Sequence, residues 1–375
     1  MNQHRNVLHR VAILLPLVAL GACSTMGGDW ADQHGVPLYE RTVVEPMPVN
    51  HYIIDSPGQT VVGVPQVVLA RHADTLSDLA RAYGLGYDEL AVANPDVDPW
   101  LPGDQTPVLL PTQFVLPDVP REGIVLNIAS RRLFYFPQMP EGQPQVVKTY
   151  PIGIGRVGWE TPLGATTVVA KAVNPHWYVP ASVRREHREL GNPLPKVIPP
   201  GPDNPLGSRV LKLEMPGYLI HGTNQPYGVG MRVSHGCVRL YPENIEYLYE
   251  LVDIGEPVRI INEPFLIGEL NGEILFEAHQ PLEDDAISIN ERLEQLFARY
   301  GEVFANELTD ADRGQIRTAT SIASGVPVRI RAYDTDEVFA RARLVRNTVE
   351  ADPNAPTLSE VREMMDELML EDDQS

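Results

Sequence analysis

The chain has 375 residues, long enough for two or three domains, and its 43% hydrophobic and 21% charged content is that of a folded protein rather than a disordered or fibrous one. A net charge of −20 argues against nucleic acid or anionic lipid as a partner, although it names no substrate. Two cysteines, Cys23 and Cys237, are too few for a disulfide scaffold.

The first residues have the build of an export signal. Arg5 and Arg10 form a basic start, Val11 to Leu20 an apolar run, and Leu20-Gly21-Ala22-Cys23 closes it with small residues. The run is shorter than the roughly 20 apolar residues that span a bilayer. Leu-Gly-Ala-Cys resembles the bacterial lipobox, which implies that residues 1–22 are removed and that Cys23 carries lipid. The competing reading is an ordinary cleaved signal with an incidental cysteine. In enteric-type bacteria, Ser24 rather than Asp after the lipidated residue points to the outer membrane. The resemblance therefore implies a periplasmic protein anchored to the inner leaflet of that membrane. With Cys23 blocked, Cys237 is the sole thiol in an oxidising compartment, which marks it as reactive unless it is a buried, inert small hydrophobe.

Residues 23–62 read as a tether, with Gly27-Gly28, Pro37, Pro46, Pro48 and Pro57-Gly58 and little periodicity. A flexible tether of this size extends only about 30 Å, so the folded domains stay near the membrane.

From residue 63 to 112 the pattern becomes regular. A short β-branched strand leads to Asp74 as a helix N-cap. Leu76, Leu79, Ala80 and Tyr83 then share one helical face that Gly84 ends. A second short helix through Leu90 and Ala93 stops at Asn94-Pro95, and Pro102-Gly103 turns into a strand at Val108 to Leu110. The run "ADTL…LA…YG…L…AN…PG" resembles the LysM module, with Ala73 where that family usually has Gly. The resemblance implies binding of glycans built on N-acetylglucosamine, peptidoglycan above all; the alternative is a small packing domain without sugar affinity.

Residues 121–263 are β-rich. "GIVLNIASRRLFYFP", "QVVKTYPIGIG", "ATTVVAKAV", "SRVLKLEMPGYLIHGT" and "EPVRIIN" predict a mainly antiparallel sheet structure with one internal helix, "PENIEYLYELV". Pro242 suits its first turn, and Ile245, Leu248, Tyr249 and Val252 make its buried stripe. Gly153-Ile-Gly155-Arg-Val-Gly158 matches a dinucleotide fingerprint, but Pro162, Gly164 and a β-branched run come after it instead of a helix, and no acidic residue lies near 178. These glycines read as turn and close-approach positions.

Cys237 sits in "VSHGCVRL". A thiol becomes a useful nucleophile beside a base or a positive charge, and two histidines compete for that role. His235 at i−2 shares its face if the segment is extended. His221, at the end of the strand in "GYLIHGTN", reaches it if a hairpin-like return brings two strand ends together. Spacing alone leaves both open.

"HGTN" followed by "SHGCVRL", with "GIGRVGWETPLG", "NPHWYVP" and "PPGPDNPLG" upstream, resembles the YkuD-type L,D-transpeptidases across 121–263, and more narrowly the ErfK/YbiS/YcfS/YnhG group, which combines this domain with LysM. The implied fold class is mainly β: a YkuD-type β-sandwich catalytic domain, a small α+β (βααβ) LysM domain and a mixed, helix-containing C-terminal extension. Carried over, the resemblance makes Cys237 the acylated nucleophile and His221 the general base, oriented by the Gly222 carbonyl. Gly236 and Cys237 N–H groups would form an oxyanion hole, and Arg239 would hold the donor or support the site electrostatically. Ser234 and His235 belong to the same motif, His235 being either catalytic or structural. His176 with Trp177 lines the donor groove or forms a packed corner, and "GNPLPKVIPPGPDNPLG" borders the cleft. A zinc site of His221, His235 and Cys237 lacks the usual ligand spacing.

The implied reaction needs no cofactor or metal. Cys237 attacks the bond before the terminal D-Ala of a tetrapeptide stem, and an amine resolves the thioester. The acceptor is a second stem, giving a 3–3 cross-link, or a Lys or N-terminal amine of an outer-membrane protein, which the group and the lipid anchor favour; water would make it a carboxypeptidase or amidase. A catalytically idle wall-binding lipoprotein is the remaining class. Residues 264–375 carry no catalytic constellation. Two strands in "FLIGELNGEILFEAHQPLED" are expected to wrap the catalytic domain, followed by an amphipathic helix in "INERLEQLFARYGEVFANEL", a strand in "GVPVRIRAY", a helix in "TLSEVREMMDELML" and an acidic tail.

Overall fold

A computed structural model describes residues 37–350 apart from 57, 305–307 and 333–334. The export signal, Cys23, the start of the tether and the last expected helix with its acidic tail lie outside the described residues.

The centre is one nine-stranded sheet in the order Tyr52–Ile54, Gln145–Pro151, Arg132–Phe136, Gly123–Asn127, Pro257–Ile261, Gly164–Val173, Arg209–Leu213, Leu219–His221, Val238–Arg239. Neighbours are antiparallel except at two places, Gly123–Asn127 with Pro257–Ile261 and Leu219–His221 with Val238–Arg239. The runs "GIVLN" and "RLFYF" look continuously apolar because both faces of the sheet are covered there. Ile124, Leu126, Leu133 and Tyr135 point into one core with Leu211, Ile220, Val238 and the helix residues Ile245 and Leu248. Val125, Phe134 and Phe136 alternate into a second core on the other face. Strands from both ends of the sheet share the first core, so the sandwich arises from one sheet folded over rather than from two separate sheets.

The helix Pro242–Leu251 begins with Pro242 as expected. A second helix in this region, Ala181–Glu189, was not expected. Only Val183 of it is buried, so "ASVRREHRE" carries no apolar stripe to reveal it.

Gln66–Leu69, Leu76–Ala82, Tyr87–Ala93 and Pro107–Leu110 make a strand–helix–helix–strand unit closed by an antiparallel strand pair. The expected Asp74 cap is replaced by Thr75, whose hydroxyl accepts from the Asp78 N–H while Asp78 returns the bond. Asp74 is buried and instead pairs with Arg71. Gly84, at φ +64°, ends the helix in a Schellman turn, with Leu85 N–H donating to Ala80 O and Gly84 N–H to Arg81 O.

This unit is welded to the large sheet. Leu76, Leu79, Leu85 and Leu90 share a core with Phe134, Phe136 and Val147. Gly86 and Gly230 meet so closely that a Cβ on Gly86 would lie 2.6 Å from the Gly230 Cα. Arg132, 2% exposed, forms a two-pronged pair with Glu89 at 3.1 and 2.6 Å and stacks over Phe114.

The C-terminal region has its own core, in which Phe265 and Phe276 of the hairpin Phe265–Leu270/Glu273–Ala278 meet Leu293, Phe297 and Ile316. The helix Ile289–Phe304 is where expected, whereas Asp310–Ile322, opened by a Thr309/Asp312 capping box, was missed. "GVPVRIRAY" supplies only the two-residue strand Val328–Arg329 before a 3-10 turn. Arg343–Val345 then adds a parallel strand to Gln66–Leu69. Beside it, Val44 exchanges backbone bonds with Leu344 and Arg346, and Arg41 donates to the Phe339 and Ala342 carbonyls.

Candidate active site

The Leu219–His221 and Val238–Arg239 strands lie side by side in parallel, with Ile220 opposite Val238 and His221 opposite Arg239. The return between them is therefore a crossover, not the hairpin-like one expected from spacing. Period-2 alternation sends Ile220 and Val238 into the core, both fully buried, and puts Leu219, His221, Cys237 and Arg239 on the opposite face. There they line a cleft of about 520 Å³ that also takes in Ser234, His235, His176 and Trp177. Five of the expected site side chains thus meet in one place; Gly222 and Gly236 contribute backbone.

His221 is 3% exposed, and its Nδ1 lies 2.6 Å from the Gly222 carbonyl oxygen. A carbonyl only accepts, so Nδ1 carries the hydrogen and Nε2 keeps its lone pair. Burial, and then the Arg239 charge, lower its pKa to about 3, against the pull of the Gly222 and Leu206 carbonyls. Cys237 is half-buried, with Sγ 3.6 Å from the Gly217 oxygen. Its burial holds the thiol above its ordinary value, more strongly than the Leu219 backbone and the Arg239 charge lower it. At neutral pH the site therefore rests as thiol and neutral imidazole, not as an ion pair.

Arg239 has a buried Nε with no hydrogen-bond partner, and no carboxylate among the described residues forms an ion pair with it. Lys212 also lines the cleft, as does Lys171, whose ammonium donates to the Tyr249 and Val252 carbonyls, and no carboxylate lines it.

The loop between the Arg232–Ser234 and Val238–Arg239 strands is held from within. Ser234, 1% exposed, donates its hydroxyl to the Cys237 carbonyl at 2.6 Å and accepts the Gly236 N–H at 3.2 Å. Gly236 was expected to offer that N–H to an oxyanion; here it is already spent on Ser234. Thr161 donates to the Gly236 carbonyl at 3.0 Å and accepts the Gly155 N–H at 3.1 Å. Neither Thr161 nor the stapling role of Ser234 was legible from spacing.

Gly236 adopts φ +100°, and a Cβ there would come within 3.0 Å of the Tyr218 ring. On Gly155 it would lie 1.9 Å from the Trp159 oxygen. The fingerprint-like glycines are thus close-approach and turn positions, Gly158 supplying the turn at φ +82°. Gly236→Ala is expected to lower kcat roughly 100-fold, the scale of an ångström-sized misplacement of a reacting group. Steady-state kinetics beside a far-ultraviolet circular dichroism spectrum separate this from unfolding.

His235 does not share an extended face with Cys237, because the Gly236 conformation bends the chain between them. Its Nε2 sits 2.9 Å from Glu186 and 3.2 Å from Arg156, and its ring meets Trp159 edge-on at 4.8 Å. Arg156 and Glu186 are themselves paired. His235 thus joins the loop to the Ala181–Glu189 helix, and Glu186, on that polar helix, is the partner that sequence reasoning missed.

A family profile described as the L,D-transpeptidase catalytic domain, YkuD, matches residues 121–260. The probable L,D-transpeptidase YcfS of Escherichia coli is 37% identical over 294 residues, which cover 77% of this chain and 90% of that protein. The probable L,D-transpeptidase YbiS of the same species is 38% identical over 284 residues, covering 74% and 91%. The probable L,D-transpeptidase ErfK/SrfK of Salmonella typhimurium is 40% identical over 235 residues, covering 62% and 74%.

Proposed function

Since the chain belongs to the YkuD family of L,D-transpeptidases, we propose that Cys237 is the residue its substrate acylates and His221 the base that activates it. The observation that carries this reading is the parallel strand pair. It puts both side chains on one face over one cleft, with Nδ1 of His221 locked to Gly222. As substrate enters, Nε2 takes the thiol proton and Sγ attacks the carbonyl before the terminal D-Ala of a tetrapeptide stem. Oxyanion charge develops near the Cys237 N–H, one donor of which is worth about 2.7–4 kcal/mol. The amine of D-Ala leaves with the proton from Nε2, and the stem remains as a thioester. An acceptor amine attacks, gives its proton to His221 and carries the stem away, while the thiol is restored. Arg239 and Lys212 suit a donor rich in carboxylates. Arg239, with its unpartnered Nε, holds one of them.

The favoured acceptor is the Lys or N-terminal amine of an outer-membrane protein, which ties the wall to that membrane. Lipid on Cys23 keeps the enzyme at the periplasmic face of the outer membrane, and the 63–112 unit acts as a LysM-like grip on peptidoglycan. Residues 24–375 incubated under reductant with tetrapeptide muropeptides and a peptide ending in Lys test this by mass spectrometry. D-Ala loss with a stem–peptide adduct is expected, and Cys237→Ala should give neither. Adducts between stems alone would replace the acceptor with a second stem, and adducts formed equally by Cys237→Ala would overturn the nucleophile assignment.

A further inference from the structure

The 234–237 loop is also backed from outside the catalytic sheet. Arg232, two residues before Ser234 on the same strand, is only 9% exposed, and all three of its guanidinium nitrogens donate. Nε donates to the Gly155 carbonyl at 2.9 Å, Nη1 to Glu283 at 3.0 Å and Nη2 to Asp284 at 2.6 Å. Gly155 packs against Gly236, where an added Cβ would stand 3.0 Å from the Gly236 Cα, and the two are joined through the Thr161 hydroxyl. The Arg232–Ser234 strand itself pairs with Ile154–Gly155. On its other side, the carboxylate pair belongs to the C-terminal region. Asp285 is held by Arg292 of the Ile289–Phe304 helix at 2.5 Å and by Asn262 at 3.2 Å, so the 283–285 turn is fixed to that region's own core. Polar contacts joined through the backbone of the 283–285 turn and of Gly155 therefore connect a helix that lines no part of the cleft to the backbone beside Cys237.

We propose that Arg232 is a positioning residue through which the C-terminal region, by way of Glu283 and Asp284, fixes Gly155 and Gly236 and so sets the rate at which Cys237 is acylated. The proposal rests on the reading of Cys237 as nucleophile. The C-terminal region lines no part of the cleft; it backs a loop whose Gly236 N–H and carbonyl are held by Ser234 and Thr161 and whose Ser234 carbonyl accepts the Arg156 N–H. Relaxing that restraint displaces Sγ relative to the bound carbonyl, and a 1 Å displacement costs on the order of 100-fold in rate. Most of the cleft lining, including His176, Trp177, Lys212 and His221, lies on other elements, so substrate binding is expected to change little.

The test uses the soluble chain 24–375 carrying Glu283→Gln and Asp284→Asn together, with Arg232→Lys as a milder second variant that keeps the charge but not the fork. Three quantities are read: kcat and KM for the donor stem, the second-order rate of Cys237 alkylation by iodoacetamide, and the melting temperature. The expected result is a fall in kcat of about tenfold with KM unchanged, inside the range of a sub-ångström shift. A parallel fall in alkylation, and recovery of both with Asp284→Glu, complete the expectation. Glu294→Gln, which breaks an exposed pair with Arg317 on the same region, should change neither. Unchanged kcat and alkylation in the double variant, or equal losses in Glu294→Gln, overturn the proposal. Because alkylation reports loop geometry without turnover, it stays informative should Cys237→Ala still release D-Ala, the outcome that defeats the nucleophile reading instead.

Discussion

His221→Ala is expected to lower kcat/KM for the donor stem by roughly a thousandfold, within the 10²–10⁴ span of a lost general base. The larger signature lies in the pH profile of the unsubstituted enzyme. A histidine of ordinary pKa would lose activity as pH falls through about 6.5. Burial and the neighbouring Arg239 place His221 near 3 instead, so Nε2 remains a proton acceptor across the whole mildly acidic range. The acid limb of kcat/KM should therefore appear below about pH 4, and a limb near 6.5 would assign the base elsewhere. In the same protein, alkylation of Cys237 should keep rising with pH beyond the ordinary thiol range, because burial lifts the thiol. Stability is tied to the same group. Above pH 6.5 neither folded nor unfolded His221 is charged. Between 6.5 and 3 only the unfolded chain takes up the proton, so stability falls with falling pH by up to about 1.4 kcal/mol per unit. His221→Asn should flatten that part of the curve in urea titrations at stepped pH.

Glu89→Ala is expected to destabilise the fold by about 3–5 kcal/mol, the cost of leaving one member of a buried ion pair without its partner. Arg132 and Glu89 are 2% and 9% exposed, and the guanidinium also donates to Thr149 and to the Gly84 carbonyl, so it cannot turn outward to water. Equilibrium urea unfolding measures the effect. The contrast is Arg81–Glu243, a similarly close pair across the same junction at 2.8 Å but about half exposed on both sides. Breaking it should cost under about 1 kcal/mol. Arg132→Met with Glu89→Leu should recover most of the Glu89→Ala loss, because a packed apolar pair needs no desolvated charge. If Glu89→Ala costs no more than Glu243→Ala, the pair does not weld the two units.

How much the sequence revealed depended on the strength of the local signal. The helix with Leu76, Leu79, Ala80 and Tyr83 was legible because a whole apolar face repeats at helical spacing. The "SHGCVR" stretch was legible because a thiol, an imidazole and a guanidinium crowd together in it. The Ala181–Glu189 helix was not, since Val183 is its one buried side chain while its Glu186 fixes His235 through a tertiary contact. Nor was the fate of the Gly236 N–H, which depends on a rotamer of Ser234. The two candidate bases differ in tertiary setting, which spacing does not carry. A bend at Gly236 turns His235 toward Glu186 and Arg156, and a crossover of parallel strands sets His221 opposite Arg239.

The stitching of Arg41 and Val44 to residues 339–346 sets an order of events. Arg41 and Ala342 are separated by 301 positions, so the outer strand beside Gln66–Leu69 can be laid down only after nearly the whole described chain has emerged. Contacts of such long sequence separation form late and slow folding, since loop closure must come before they contribute. Until the C-terminal residues are available the small unit would thus stand with that edge unpaired, and an unpaired strand edge invites association with other chains. The segment around Leu344 is in this sense a clasp, closing last over an edge that the rest of the molecule has already built.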